Sequence, residues 1–182
     1  MSNKNVILSV AEHADLRLRA IGGEDVENLR VWKNKNKGSF FLNRDITPEE
    51  QAKWFEGFEA RDEDYMFVVE QLVDGDWRSI GCMGFRKLPD EGCTDAYNIM
   101  RAENPAPASF TMSDAFRVML KYAAGLYPDL PVRCKVLCAN PAVEWYQKND
   151  FSIVDQGGEE YYLMELAKDS LQNCNVNIID KK

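Results

Sequence analysis

The sequence feature that most constrains the fold is a pair of apolar runs joined by a tight turn. The runs Tyr65–Leu72 and Trp77–Phe85 are rich in β-branched and aromatic residues, and the dipeptide Asp74-Gly75 between them is typical of a hairpin. A third such run, Asp95–Ala102, follows a turn-rich segment at 88–92. The chain is therefore expected to contain a sheet in which consecutive strands are antiparallel neighbours.

Two capping patterns mark helices that can cover this sheet. Thr47 is followed by Pro48 at the first helical position and by Glu50 three residues after the cap, which predicts a helix that ends near Arg61. The segment 111–114, Thr-Met-Ser-Asp, is a second capping box. It predicts a long helix that runs to about residue 125.

The remaining periodic segments complete an alternation of strands and helices. They are predicted strands at Leu16–Ala20, Val132–Cys138, Phe151–Asp155 and Tyr161–Leu166, and predicted helices at Glu24–Lys35 and Pro141–Asn149. The resulting order, βααβββαβαββ, predicts an α+β fold, an α/β sandwich with helices on both faces of a mixed central sheet. We expect one domain at 1–166 and a polar tail at 167–182. The sequence leaves open whether this tail is disordered or adds a strand to a neighbour.

The composition argues against several classes of protein. Thirty acidic and 22 basic residues give a net charge of 22 − 30 = −8, which argues against binding of nucleic acid by bulk charge and against a basic membrane-binding face. No apolar run approaches the roughly 20 residues of a membrane span, and the first residues lack the pattern of a signal peptide. The five cysteines are too few and too irregularly spaced for a disulfide scaffold. We therefore expect a cytoplasmic, reduced protein.

Short motifs in a particular order resemble those of the GNAT superfamily of N-acetyltransferases. The similarity covers about Leu16 to Leu166, and it is greatest to the branch that acetylates ribosomal-protein N-termini, amino sugars or nucleotide sugars. Gln51 stands where the family pattern often has histidine. The matching segments are Trp32-Lys33-Asn34, Ile46-Thr47, Gln51 to Phe55, Ile80-Gly81 and Asn140 to Phe151.

The resemblance implies acetyl-CoA as the acyl donor and no metal. In the family the pantetheine chain of the donor lies between the fourth and fifth strands of the domain, here Asp95–Ala102 and Val132–Cys138. Backbone groups of Ile99, Met100 and Arg101 would pair with it, and Asn140 would contact it.

The family binds the donor's pyrophosphate on a glycine-rich loop before the long helix, and here that loop has no glycine. Two interpretations stay open: either Thr111 and Asp114 simply cap the helix, or the loop still holds the anion through hydroxyl and backbone N–H groups. The residues concerned are Ser109, Phe110, Thr111, Met112 and Ser113.

The resemblance also assigns catalytic roles. Tyr146 would be the acid that protonates the leaving thiolate, with a merely packed aromatic ring beside Trp145 as the alternative. Asp95 would be the base that accepts the amine's proton. Glu70 and Glu103 compete for that role, and Asp95 could also be a simple strand-edge carboxylate.

The loop between the first two helices would form the acceptor wall, with Phe40, Phe41 and Arg44 as candidate contacts; packing is an equal alternative for the aromatic pair. The sequence thus predicts acetyl transfer from acetyl-CoA to a primary amine of a small molecule, such as an amino sugar, an amino acid or a modified nucleoside. The acidic net charge favours an acceptor that is a cation before it binds. The alternative is an inactive binding or assembly module that does not use CoA. A homodimer is plausible from the family.

Overall fold

The predicted hairpin forms the centre of a nine-stranded sheet in the computed structural model, which describes residues 4–102, 107–172 and 174–180. The strands are β1 Val6–Ser9, β2 Leu16–Ala20, β3 Asp64–Val73, β4 Asp76–Leu88, β5 Cys93–Arg101, β6 Val132–Leu137, β7 Phe151–Gly157, β8 Tyr161–Leu166 and β9 Asn177–Asp180. The α-helices are α1 Val26–Lys35, α2 Pro48–Glu59, α3 Met112–Leu126 and α4 Ala142–Lys148.

The sheet is mixed, with the strand order β7-β8-β6-β5-β4-β3-β2-β1-β9. All neighbours are antiparallel except β5 and β6, which run parallel. The long crossover between these two strands contains α3, as a parallel pair requires.

The sheet separates two apolar cores because successive residues of a strand point to opposite faces. In β3, Phe67 packs into the core that also contains Phe116 of α3. The next residue, Val68, packs into a second core with Leu29 of α1 and Phe58 of α2. Helices therefore cover both faces, and the predicted α+β class with a mixed sheet is confirmed.

Two strands of the sheet were absent from the predicted order. β1 and β9 each have four residues and pair with each other at one edge, with Val6 opposite Asp180. The segment that leads to β9 crosses α3, where Leu171 is buried and its carbonyl accepts a hydrogen bond from Lys121 Nζ at 3.1 Å. The C-terminal segment thus connects the β8 side of the sheet to its β1 edge.

None of the described helices has the length and apolarity that crossing a membrane would need. All five cysteines are free thiols, and Cys82, Cys93 and Cys134 are buried. Cys138 and Cys174 are half-buried, and the five free thiols agree with the expectation that the cysteines form no disulfide scaffold.

Candidate active site

The sheet opens between its two parallel strands. β5 and β6 are paired only where Thr94 faces Val132 and Asp95 faces Arg133, and beyond these residues the strands separate. The gap forms a cavity of about 640 Å³, called the cleft below, which is bounded by both strands, by α4 and by the loop at 36–42. Ile99, Met100 and Arg101 of β5 line the cleft.

Tyr146 of α4 forms part of the cleft wall and is 8% exposed. Its ring lies 5.9 Å from that of Phe116 and 5.7 Å from that of Phe151, so the aromatic core fixes its orientation. Burial, with smaller effects from Cys134 and Asp95, raises the pKa of Tyr146 well above its ordinary value. The phenol therefore keeps its proton at neutral pH, and the residue is both a packed aromatic and a wall of the cleft.

Asp95 also lines the cleft, near the point where the strands separate. It faces Arg86 across the β4–β5 ladder, and the closest oxygen and nitrogen of the pair are 2.9 Å apart. Burial raises the pKa of Asp95 although Arg86 acts in the opposite direction. Glu70 is paired with Arg17 and Arg19 and does not line the cleft, while Glu103 lies outside the described residues.

The start of α4 is tied to the loop that borders the cleft. Asn140 accepts a hydrogen bond from the backbone of Ala142 at 2.9 Å and donates one to the carbonyl of Ser39 at 3.2 Å. Phe40 and Phe41 follow in this loop and both line the cleft. Phe41 is 53% exposed and makes an edge contact with the ring of Tyr161.

A smaller cavity of about 270 Å³, called the side pocket below, continues from the cleft beneath α1 and α2. Arg44 lines it and is paired with Glu50 at 2.7 Å. Gln51 is 5% exposed and also lines the pocket, and its carboxamide has no hydrogen-bond partner among the described residues. The remaining wall is mainly apolar and includes Leu29, Leu42, Ile46, Trp54, Met66 and Met100.

Lys33 of α1 lies at the junction of the cleft and the side pocket, because it lines both. Its ammonium donates a hydrogen bond to Asn98 Oδ1 at 2.9 Å and lies 5.0 Å from the centre of the Phe40 ring. No described carboxylate forms an ion pair with it. Burial lowers the pKa of Lys33. Sequence analysis did not select Lys33 as a site residue, although it belongs to the Trp32-Lys33-Asn34 motif.

The partner of Lys33 is held by an irregularity in β5. The register between β4 and β5 shifts between Cys82 and Gly84, and Asn98 has a φ of 51°, a left-handed value that is uncommon for a residue with a side chain. On the facing strand, a Cβ added at Gly81 would lie 2.3 Å from the carbonyl oxygen of Met100. A glycine is therefore needed where β4 approaches this part of β5.

The N-terminus of α3, where the family resemblance places the donor's pyrophosphate, is occupied by two carboxylates of the chain itself. The backbone N–H of Thr111 donates to Asp114 at 2.6 Å, and that of Ser109 donates to Asp15 at 3.1 Å. The Ser109 hydroxyl also donates to Asp15. Although burial acts against it, hydrogen bonding from Ser109 lowers the pKa of Asp15, so this group is negatively charged at neutral pH.

The other residues of this loop also face protein partners. Phe110 is buried in the core and Met112 packs against it. The hydroxyl of Ser113 accepts a hydrogen bond from Asn149 at 3.1 Å. The open cleft between β5 and β6 fits an extended pantetheine chain, but the end of α3 does not fit a pyrophosphate as it stands. Among the described residues, no group of three or more His, Cys, Asp or Glu side chains could hold a metal ion.

Several solved structures are similar to this chain in their architecture. A domain from Methanocaldococcus jannaschii DSM 2661 has a TM-score of 0.70 at 15% identity, with 83% of this chain and 97% of that chain covered. The spermidine N-acetyltransferase from Vibrio cholerae, in complex with CoA and spermine, has a TM-score of 0.69 at 17% identity, with 88% and 99% covered. Apo FdhC, a nucleotide-linked sugar GNAT, has a TM-score of 0.66 at 16% identity, with 88% and 90% covered.

The chain therefore has the fold of the GNAT acetyltransferases. No protein-family model matches the sequence, and no curated protein matches it. The fold class predicted from the order of elements is confirmed.

Proposed function

We propose that the protein is an N-acyltransferase that moves an acetyl group from acetyl-CoA to the primary amine of a small molecule. The observation that carries this proposal is the separation of β5 and β6 beyond Asp95, which opens a cleft lined by Tyr146 within a GNAT fold. The cleft supports binding of the pantetheine part of the donor, whose thioester supplies an activated acyl group. The nucleotide end of the donor then binds outside the N-terminus of α3, which is where the family holds the pyrophosphate.

Burial shifts the pKa values of two side chains of the cleft in the direction that the reaction needs. An amine attacks only when it is neutral, and Asp95, with a pKa raised by burial, is suited to accept its proton. As the new C–N bond forms and the C–S bond breaks, Tyr146 is suited to donate its proton to the leaving sulfur. Asp95 and Tyr146 line the same cavity, which would bring both groups to one reaction centre.

A second candidate function is a GNAT-fold binding module that does not use CoA. The observation in its favour is that Asp15 and Asp114 already accept the hydrogen bonds of Ser109 and Thr111 at the end of α3. Two negative charges at this position would repel a pyrophosphate.

Calorimetric titration with acetyl-CoA, CoA and S-acetylpantetheine, followed by a thiol-release assay with a panel of amines, distinguishes the two functions. The enzyme is expected to bind acetyl-CoA and S-acetylpantetheine with similar affinity and to release thiol only when an amine is present. Absence of heat with all three compounds at millimolar concentration would favour the binding module.

A further inference from the structure

We infer that the acceptor carries an acidic group, a carboxylate or a phosphate, in addition to its amine, and that Lys33 and Gln51 bind this group in the side pocket. The inference rests on the proposed function, whose acceptor it specifies. It starts from the position of Lys33, which is the only cation that lines both cavities among the described residues.

The contacts of Lys33 are all electrically neutral. Its ammonium is held by the amide oxygen of Asn98 and lies near the ring of Phe40. The nearby thiol of Cys82 is no counter-ion, because burial raises its pKa to about 12 and it stays protonated at neutral pH. Lys33 is half-buried, and a partly desolvated cation without a counter-charge is costly, so the position favours a ligand that supplies the missing negative charge.

The residue that holds the Lys33 ammonium has an uncommon backbone conformation. Asn98 adopts a left-handed backbone conformation at the β5 irregularity while its side chain holds Lys33. Such conformations are uncommon in residues other than glycine, although asparagine adopts them more readily than most, and they concentrate at functional sites. Asn98 thus holds the ammonium of Lys33 in a fixed position, as a ligand-binding site requires.

Gln51 provides independent support. It is a buried polar side chain that lines the side pocket without a hydrogen-bond partner among the described residues. The carboxamide of Gln51 is not among the fully buried side-chain atoms that lack a partner, so it is open to the pocket, and its nitrogen is a suitable donor to an oxyanion. Lys33 and Gln51 are therefore two donors that border one small and otherwise largely apolar space.

The charges of the two cavities agree with an acidic ligand. Among the described residues that line them, five are Lys or Arg and three are Asp or Glu, which gives 5 − 3 = +2, although the whole chain carries −8. Each of the three acids already pairs with a cation: Glu50 with Arg44, Glu91 with Lys135 and Asp95 with Arg86. Lys33 and Arg101 remain for a ligand.

Matched acceptor pairs test the inference with acetyl-CoA as donor. O-phosphoethanolamine is compared with ethanolamine, and 4-aminobutyrate with 1-aminobutane, while spermidine serves as a polycation. We expect the wild-type protein to use the acidic member of at least one pair with a kcat/KM about tenfold or more above that of its partner, as a hydrogen-bonded charge pair implies. Which pair shows the preference separates phosphate from carboxylate recognition. Equal or better use of the amines that lack the acidic group, or of spermidine, would overturn the inference.

Variants identify the residue responsible. Lys33→Met should reduce the acid preference to about twofold or less, and Lys33→Arg should retain most of it. Lys53→Met, which removes an exposed lysine from α2, is the matched control and should leave the preference unchanged. A tenfold rise in the KM for acetyl-CoA in Lys33→Met, with the acid preference intact, would instead assign Lys33 to the donor and overturn the inference.

Binding separates failure of this inference from failure of the proposed function. If no amine is acetylated, the proposed function fails, and the inference is then judged by thermal shift with O-phosphoethanolamine and 4-aminobutyrate. Stabilisation of the wild-type protein but not of Lys33→Met would support the acidic-group site. Absence of a shift with both compounds would overturn it.

Discussion

At the scale of single residues, burial determines which side chains of the cleft carry a proton. Tyr146 retains its proton because the core around Phe116 and Phe151 excludes water. Tyr146→Phe preserves this packing and removes only the hydroxyl. We therefore expect kcat to fall about 10²- to 10⁴-fold, the usual contribution of a general acid, while S-acetylpantetheine affinity stays within about twofold. Steady-state kinetics and calorimetry on the same preparation measure both, and unchanged turnover would remove Tyr146 from the mechanism.

Lys33 gives a prediction for stability. Its lowered pKa means that the folded protein disfavours the charged form, so Lys33→Met should raise the free energy of unfolding by about 0.5–1 kcal/mol at pH 7. As the pH rises from the lowered pKa toward the ordinary lysine value of about 10.4, wild-type Lys33 loses its proton in the folded state and this deficit shrinks. Urea denaturation at pH 7 and pH 10 checks both statements. A larger stability gap at pH 10 than at pH 7 would contradict them.

Individual site residues could be predicted from the sequence only where they belong to a recognisable motif. Tyr146, Asp95 and Asn140 were selected through the family pattern, and all three line the cleft. The contact between Lys33 and Asn98 joins residues 65 positions apart and depends on a left-handed residue in a strand. Neither the separation nor the backbone conformation leaves a periodic signal, so this part of the site could not be predicted.

At the scale of elements, the N-terminus of α3 shows how a helix end can be capped from two directions. The sequence predicted the box formed by Thr111 and Asp114, and the structure contains it. Asp15 could not be predicted as a second partner, because it comes from the β1–β2 connection, 94 residues away from Ser109. The resulting site has the hydrogen bonds of an anion site but is filled by the protein's own carboxylates.

The two carboxylates keep the donor's pyrophosphate away from the end of α3, so removing one of these charges should let it approach and improve binding of the complete donor. Asp15→Asn keeps one oxygen, which can accept the hydrogen bond of the Ser109 backbone N–H, and its new amide group can donate to the Ser109 hydroxyl oxygen. The substitution abolishes the negative charge. We expect affinity for CoA to rise about two- to fivefold, while affinity for S-acetylpantetheine stays unchanged, because only CoA has a pyrophosphate. Asp129→Asn, at the opposite end of α3, is the control. Equal effects on the two ligands would show that the charge of Asp15 does not keep the pyrophosphate away from the end of α3.

At the scale of the whole molecule, the C-terminal segment joins distant parts of the sheet. β1 and β9 were not predicted, because each has only four residues and neither shows a clear alternation of apolar and polar positions. The order of the other helices and strands along the chain was nevertheless sufficient to predict the fold class. An edge strand such as β9 forms only against its partner strand, β1, which lies far away in sequence.

Removal of residues 173–182 tests the contribution of β9. The deletion takes away the β1–β9 ladder and the packing of Val176, so we expect a loss of about 1–2 kcal/mol and a fall in Tm of roughly 2–8 °C. The newly exposed edge of β1 should also increase self-association, which light scattering would detect. Ile179→Thr changes an exposed side chain of β9 and should leave the Tm nearly unchanged. An unaltered Tm after the deletion would show that the ladder adds no stability.

The pairing of Val6 with Asp180 has a topological consequence. Because β1 and β9 are antiparallel neighbours, the two ends of the described chain lie side by side, as the two arms of a hairpin do. A short glycine-rich connector between them would close the polypeptide into a ring, and new termini could then be opened at the exposed turn Asp74-Gly75 between β3 and β4. The fold should tolerate such a circular permutation, which would leave the cleft intact and move both termini from the β1–β9 edge of the sheet to the turn of the central hairpin.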